Sequence, residues 1–374
     1  MNKQEQISIL NAGWTLGNDC PYRCRQCYSA MVRVRGRNLC SADVDRIIGQ
    51  LTLHGVSIVN LGGNEPLFTN GLNPRNSLLP YILKKLRSHQ VKVGLTTAGI
   101  SVNYLAENHS DAFHAINDVD VSLDSPFPEE HDVNRGAPLF RQGLKALGFC
   151  REAGTPHTIV MCGMNWNLSE KHLDGLMRLA RETGSYFRIN FLRPTQLKHF
   201  ATMPTEKQFH VTVNYLASRC RIVEAGEPVA CVLLSKKAES CPCGTNSLRI
   251  HSITPEGRVP VSPCVFLHNY RVGDLLTEDL GSILASAEFE DFRRRHREPE
   301  QIKGCNGCSR LLSCRGGCAS RSYLTEKPGT IWRRDPYCQG PQSVPKEETT
   351  NNKIPLNDDN LVHRGYLCTL IFAP

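Results

Sequence analysis

Three cysteines stand within eight residues of one another, Cys20, Cys24 and Cys27, spaced x3 and x2 just past a first apolar run. Few folds put three thiols so close together without a metal centre to use them. A four-iron, four-sulfur cluster is ordinarily held by four Cys, so a three-Cys set leaves one iron open to another ligand. A structural zinc wants four protein ligands, and after Cys27 no His or Cys follows at ligand spacing before Cys40. The competing reading is a loop of unpaired structural thiols. The chain carries 17 Cys and its first residues show neither a basic stretch nor the apolar core of a secretion signal. Thiolates bound to metal in a reducing cytoplasm explain that count better than a disulfide framework does.

The same loop sits inside a larger pattern. Over residues 7–200, short apolar runs alternate with amphipathic segments, the signature of repeated βα units around a parallel sheet. Strands are expected over residues 7–16, 56–61, 91–96, 118–123, 157–161 and 186–191. Helices are expected from Ser41, as N-cap with Asp43 and Asp45 in the first turn, over 78–89, over 139–152 before Gly154, and from Ser169 to a Gly184 stop. Six strands with crossover helices form an α/β fold, an open partial (β/α)6 barrel, and such sheets bind ligands at the carboxyl ends of their strands. No run of 18 apolar residues is present, and 40% hydrophobic content suffices for a large core, so a soluble, cytoplasmic protein without a membrane partner is expected. The net charge of +8 is spread along the chain, its one dense run being Arg293, Arg294, Arg295, His296 and Arg297, and RNA-binding signatures are absent. Nucleic acid is therefore not the expected partner, while an acidic substrate stays open.

The strand ends carry the remaining chemistry. After the second strand the chain reads Gly62, Gly63, Asn64, Glu65, Pro66: two glycines that let backbone approach a ligand, then a carboxylate able to meet an ammonium. The third and fourth strand ends offer Thr97, Ser122 and Asp124, and Arg135 follows. Thr97, Ser122 or Asp124 taken singly is a common capping or turn residue. The fifth strand delivers Cys162, Asn165 and Asn167, and the sixth Arg188, Asn190 and Arg193. Together with the three-Cys loop, this set resembles the radical S-adenosylmethionine (SAM) superfamily. The resemblance implies that Cys20, Cys24 and Cys27 hold a [4Fe-4S] cluster whose open iron chelates SAM. It also implies that the Gly62–Glu65 loop receives the SAM amino group and that Arg135 holds its carboxylate. Two departures stand out: Gln26 precedes the third Cys where the family has an aromatic residue, and Asn64 replaces a glycine, its tolerance of positive φ preserving the turn.

From about residue 201 the βα alternation fades and cysteines return as Cys305-x2-Cys308-x5-Cys314-x3-Cys318, then Cys338, with Cys241, Cys243 and Cys264 upstream. Zinc knuckles would also use such spacing. The pattern resembles the SPASM domain, which implies one auxiliary iron–sulfur cluster on Cys305, Cys308, Cys314 and Cys338 and a second on Cys243, Cys264 and Cys318, with Cys241 as its fourth ligand. Six residues rather than the family's four separate Gly257 from Cys264. The expected domains are thus a barrel over 1–210, a SPASM domain over 211–340, and a tail over 341–374. That tail begins as a polar linker to residue 360 and ends in an apolar stretch, 362–372, that should dock, over barrel surface or into the cavity with Cys368.

The resemblance implies an enzyme that reductively cleaves SAM, abstracts a substrate hydrogen, and oxidatively modifies a ribosomally made peptide. A reductant such as flavodoxin or ferredoxin would feed it. Because the first strand begins near residue 7, a separate protein would present the peptide, or the substrate is small. The alternatives are a dehydrogenase or epimerase acting on a sugar or aminoglycoside-type natural product and, in another class, a non-catalytic iron–sulfur or zinc scaffold.

Overall fold

The computed structural model describes residues 9–234, 241–341 and 361–374. Six parallel strands follow one another across a sheet: β1 (Asn11–Leu16), β2 (Ile58–Gly63), β3 (Lys92–Thr97), β4 (Asp118–Ser122), β5 (His157–Gly163) and β6 (Tyr186–Phe191). Each pairs in parallel with the next, as in Leu16 opposite Gly63 and Thr97 opposite Val121. The crossovers are α1 (Ser41–Leu53), α2 (Leu79–Ser88), α3 (Ile100–Asn108), α4 (Ser110–Phe113), α5 (Pro128–Arg135), α6 (Phe140–Glu152) and α7 (Glu170–Thr183). α7 shows why these boundaries are readable: Ser169 precedes it in extended geometry, Leu173, Leu176, Met177 and Ala180 line its buried face, and Gly184 ends it at φ 70°. α1 differs from expectation by one residue. Its N-cap is Cys40, whose N–H donates to Asp43 at 2.9 Å, so Ser41 is the first helical residue.

The alternation within β4 sorts its two faces. Val119 and Val121 pack in the apolar layer beneath the helices, while Asp118, Asp120 and Ser122 point the other way, and all five are buried. The inner surface of the half-barrel is accordingly polar, with Asn11, Asn60, Asp118, Asp120 and Arg188 buried there. What covers it is the chain's own tail. His363 bonds Asp118 through its ring and through its N–H (3.2 Å) and reaches Thr96 at 3.2 Å, Arg188 donates to Thr369 at 2.9 Å, and Gly365 N–H donates to Glu224 at 2.9 Å. Arg188 and Asp120 form a buried ion pair beside them. At Gly13 a side chain would collide with Tyr366, its Cβ falling 2.4 Å from the Tyr366 hydroxyl, so the strand is bare where the tail crosses it.

The sheet is longer than six strands. After α8 (Glu206–Arg219), which runs through the expected boundary at 210, come β7 (Arg221–Ala225), β8 (Ser247–Ile250), β9 (Val261–Ser262) and β10 (Leu370–Ala373). The full order is β7-β10-β6-β5-β4-β3-β2-β1-β8-β9. β8 adds in parallel beyond β1, and β10 inserts antiparallel between β6 and β7. The apolar tail therefore docks as a strand of the sheet and along the barrel interior, not over the outer surface. The linker expected over 341–360 lies, past Pro341, outside the described residues.

Candidate functional site

The loop after β1 carries Cys20, Cys24 and Cys27 over the carboxyl ends of the strands. Cys20 N–H bonds the Gly17 carbonyl (2.9 Å), Cys27 N–H bonds the Cys24 carbonyl (3.2 Å), and Arg33 clamps the carbonyls of Cys20 and Tyr22 at 3.0 and 3.2 Å. All three cysteines border one cavity of about 1240 Å³, counting its opening to solvent, together with Gly62, Gly63, Asn64, Glu65, Thr97, Ser122 and Arg135. Burial pushes the Cys20 thiol up to about 11 and raises Cys24 as well, with Arg135 pulling Cys24 the other way. Only a strong local positive charge keeps such thiols ionised, and bound iron supplies one.

Glu65 is fixed from the β3 side. Its Oε1 accepts from the Thr97 hydroxyl, the Ser101 hydroxyl and the Ser101 N–H, and its Oε2 accepts from the Ala98 N–H at 2.9 Å. With about two acceptor positions on each carboxylate oxygen, Oε1 is saturated while Oε2, taking one donor, can accept another, and Glu65 borders the cavity. Two of its donors are backbone N–H groups at the start of α3, where a helix favours negative charge. Thr97 orients Glu65 and also takes the Gly99 N–H at 2.9 Å.

The turn before Glu65 differs from expectation. Gly63 takes the positive φ, 87°, whereas Asn64 does not; among the described residues other than Gly, only Gln90 and Arg315 do. Asn64 instead accepts from the Ser29 hydroxyl at 2.7 Å, leaving its buried amide nitrogen without a protein partner.

Asp124 is fully buried and does not border the cavity. It accepts from Gln26 (2.7 Å), Asn134 (2.9 Å) and the Cys162 N–H (3.0 Å), and pairs with Arg135 at 2.7 Å. Its place is behind Arg135, holding that guanidinium beside Cys24. Gln26 thus has a different job from an aromatic residue at its position: it bridges the cysteine loop to the segment after β4 and to α5, also accepting from Asn134 at 3.0 Å.

Cys162, Arg188, Asn190 and Arg193 border the cavity as expected from strand order. Asn165 and Asn167 do not: Asn165 donates to the Ala201 carbonyl (2.9 Å), and Asn167 donates to the carbonyls of Asp124 and Cys162 (2.8 and 3.0 Å). They tie loops together because the chain turns away after Gly163. Of the two placements open for the tail, it takes the cavity, Tyr366 and Leu367 forming part of the wall, while sequence reasoning missed Val265 and Phe266, which come from the cysteine-rich half.

Two further thiol sets lie apart from this cavity. Cys305, Cys308, Cys314 and Cys338 surround a small hollow with Gly304, Gly316 and Arg334. The glycines allow it, with Gly304, Gly307, Gly316 and Gly317 all at positive φ. Burial lifts Cys305 to about 11 and raises Cys314 and Cys338. Buried Arg295 donates to the carbonyls of Ile331, Arg315, Gly316 and Gly317, at 2.6 to 3.3 Å, placing a fixed cation near Cys305. The other set unites Cys241, Cys243, Cys264 and Cys318 in one buried cluster with Cys368, a thiol outside the expected ligand set. Among the described residues no group of three or more His, Cys, Asp or Glu is set to hold a metal ion as it stands. These five thiols touch in series, Cys264 to Cys243 to Cys241 to Cys368 to Cys318, around a hollow and not around one point. Arg193 joins this hollow to the large cavity: it borders both, and its guanidinium reaches Glu227 (3.1 Å) and the Cys318 sulfur (3.5 Å).

Residues 14–178 match the family model of the radical SAM superfamily, and residues 241–309 match that of the SPASM iron–sulfur cluster-binding domain. The chain carries a radical SAM domain followed by a SPASM domain. Mycofactocin maturase MftC of Mycobacterium ulcerans is 26% identical over 337 residues, covering 87% of this chain and 86% of that protein. An AdoMet-dependent heme synthase of Methanosarcina barkeri is 25% identical over 370 residues, covering 89% and 98%. Among solved structures, anSMEcpe with bound AdoMet superposes with a TM-score of 0.63 at 16% identity, covering 88% of this chain and 94% of that one. Streptococcus suis SuiB bound to S-adenosylmethionine gives 0.60 at 17%, covering 89% and 76%.

These two domains imply SAM, a [4Fe-4S] cluster and auxiliary iron–sulfur clusters as cofactors. The cavity suits the first two: three thiols share it with Glu65 and Arg135, and the buried Asn64 nitrogen and Asn190 oxygen have no protein partner. Among the described residues no helix is long and apolar enough to cross a membrane.

Proposed function

We propose that this chain is a peptide maturase that draws a hydrogen atom from a ribosomally made peptide and modifies it oxidatively. The observation that carries the chemistry is the convergence of Cys20, Cys24 and Cys27 with Glu65 and Arg135 on one cavity. When bound, the cofactors supply reductive cleavage of SAM to methionine and a 5′-deoxyadenosyl radical. The protein's share is positional. Cys20, Cys24 and Cys27 are the proposed cluster ligands, Glu65 Oε2 the acceptor for the SAM ammonium, and Arg135, steadied by Asp124, the partner of its carboxylate. Gly62 and Gly63 border the same cavity, kept bare because a Cβ at Gly62 would crowd Thr96 and one at Gly63 would strike Thr15 and Tyr28, with Thr97 and Ser122 beside them.

Beyond the SAM subsite, Met161, Phe191, Leu192, Phe266 and Leu367 give the cavity apolar walls that exclude water from a radical. Peptide as substrate rests on the relative named a mycofactocin maturase and on the likeness in fold to SuiB, solved bound to its precursor peptide SuiA. A flavodoxin or ferredoxin as reductant, and a separate protein presenting the peptide, complete the reading. With the boundary moved from 210 to the end of α8, it divides the chain into a barrel, an auxiliary-cluster domain reaching to 340 and a docking tail.

The test is anaerobic reconstitution followed by SAM and dithionite. Formation of 5′-deoxyadenosine that vanishes when Cys20, Cys24 and Cys27 are all changed to Ala is expected. Undiminished cleavage in that variant refutes the ligand assignment. Candidate peptides encoded beside the gene should lose two hydrogens on incubation, and unchanged masses for all of them, with SAM cleaved, would overturn the peptide reading.

A further inference from the structure

Four irons need four ligands, and the hollow around Cys318 offers five thiols from four separate stretches of chain. Cys241 and Cys243 share one stretch, on either side of Pro242, and their thiols touch each other. One short stretch thus brings two thiols to the hollow where each of the other three brings one. Cys264 comes from the loop after β9, Cys318 from the residue before the helix Ala319–Thr325, and Cys368 from the tail. The fourth ligand is therefore supplied either by the second member of the Cys-Pro-Cys pair or by the tail.

The tail side is built to hold a ligand still. Cys368 is 5% exposed and its thiol lies against those of Cys241 and Cys318. Its carbonyl accepts from Arg193 at 3.4 Å, the same guanidinium that reaches the Cys318 sulfur. On one side of it His363 is tied to Asp118, and on the other Leu370 and Phe372 pair with both β6 and β7. A thiol between two such anchors has little freedom to move away from the hollow.

We propose that Cys368 is the fourth protein ligand of the auxiliary cluster held by Cys243, Cys264 and Cys318, so that the C-terminal tail is a working part of that site and Cys241 is not required. This rests on the auxiliary-cluster reading above and adds a residue that lies outside the SPASM cysteine pattern.

The test uses full-length chain carrying Ala at Cys20, Cys24 and Cys27, reconstituted anaerobically, so that all remaining iron is auxiliary. Cys368→Ala and Cys241→Ala are then added one at a time, and iron, sulfide and the EPR spectrum of the reduced protein are recorded. The signal of the Cys305, Cys308, Cys314 and Cys338 set serves as the internal control for folding. In Cys368→Ala, that signal should persist while the other is lost with about four iron, the content of one cubane, or becomes shiftable by added small thiol or azide. In Cys241→Ala both signals should persist. Two signals and full iron in Cys368→Ala, insensitive to added thiol, overturn the assignment of Cys368. Absence of auxiliary iron from the parent variant itself overturns instead the cluster reading on which it rests.

Discussion

Glu65→Gln isolates the charge at the SAM subsite with almost no change of shape. In the parent, Oε1 takes three donors and Oε2 takes only the Ala98 N–H, so the spare acceptor capacity of this cavity-lining side chain lies on Oε2. Oε1 can remain an amide oxygen and keep its three partners. The Nε2 that replaces Oε2 then meets the Ala98 N–H donor to donor and presents hydrogens where the ammonium of SAM would lie. A hydrogen bond to a charged group contributes roughly 1.5–3 kcal/mol, so losing the ammonium contact weakens SAM binding by about 10- to 150-fold. The buried donor clash costs roughly 1–3 kcal/mol of stability as well. Equilibrium dialysis of labelled SAM against anaerobically reconstituted protein reads the affinity, and iron analysis shows whether the first cluster stays loaded. Full iron with parental SAM affinity refutes the role given to Glu65. Thr97→Val supplies the matching arm: it frees an Oε1 position but keeps the charge, so SAM affinity should fall by less than tenfold.

The remaining expectations concern the hub behind the site and the tail. Asp124→Asn leaves Arg135 without its counter-charge and should weaken SAM binding while the iron content stays near parental; equal affinity would show that Arg135 needs no such holder. Gly13→Ala places a methyl into the Tyr366 ring edge and should loosen the tail, read as faster amide exchange over residues 361–373. His363 gives a pH signature: burial and Arg188 oppose its protonation, but Asp118 and Asp120 outweigh them and raise its pKa above the ordinary value near 6.5. The stability it adds is therefore fully present below about pH 6.5 and is lost as pH rises through the raised folded value. Thermal unfolding in the parent should fall over that window, and His363→Gln should flatten that part of the profile.

Much of the βα half was legible because its signals are local. Ser169 and Gly184 bracket α7, the apolar faces repeat at helical spacing, and the strand ends follow from order alone. That order also placed Arg188, Asn190 and Arg193 toward the cavity. What escaped depends on partners far along the chain. Nothing near Leu370 announces that it will pair with Ile189 and Ala225, and the polar inward residues Asp118 and Asp120 make sense only once His363 and Arg188 are beside them. Gln26 reads as a departure from a pattern until Asp124 and Asn134 are seen to hold it. Asn165 and Asn167 were assigned by proximity to a strand end, but hydrogen bonding to local carbonyls claimed both side chains.

The insertion of β10 between β6 and β7 also bears on how the chain reaches its native state. β6 and β7 are near in sequence but do not pair with each other, and the strand that joins them arrives some 180 residues after β6, the Thr369 hydroxyl bonding the Ile189 carbonyl across that span. Contacts so distant in sequence form late, since the loop-closure entropy comes first. Until they form, two hydrogen-bonding edges stay open to whatever other strand is at hand, including those of neighbouring chains. Aggregation during expression should therefore respond more sharply to changes within Leu370–Ala373 than to equally buried changes in β3 or β4, whose neighbours are in place early.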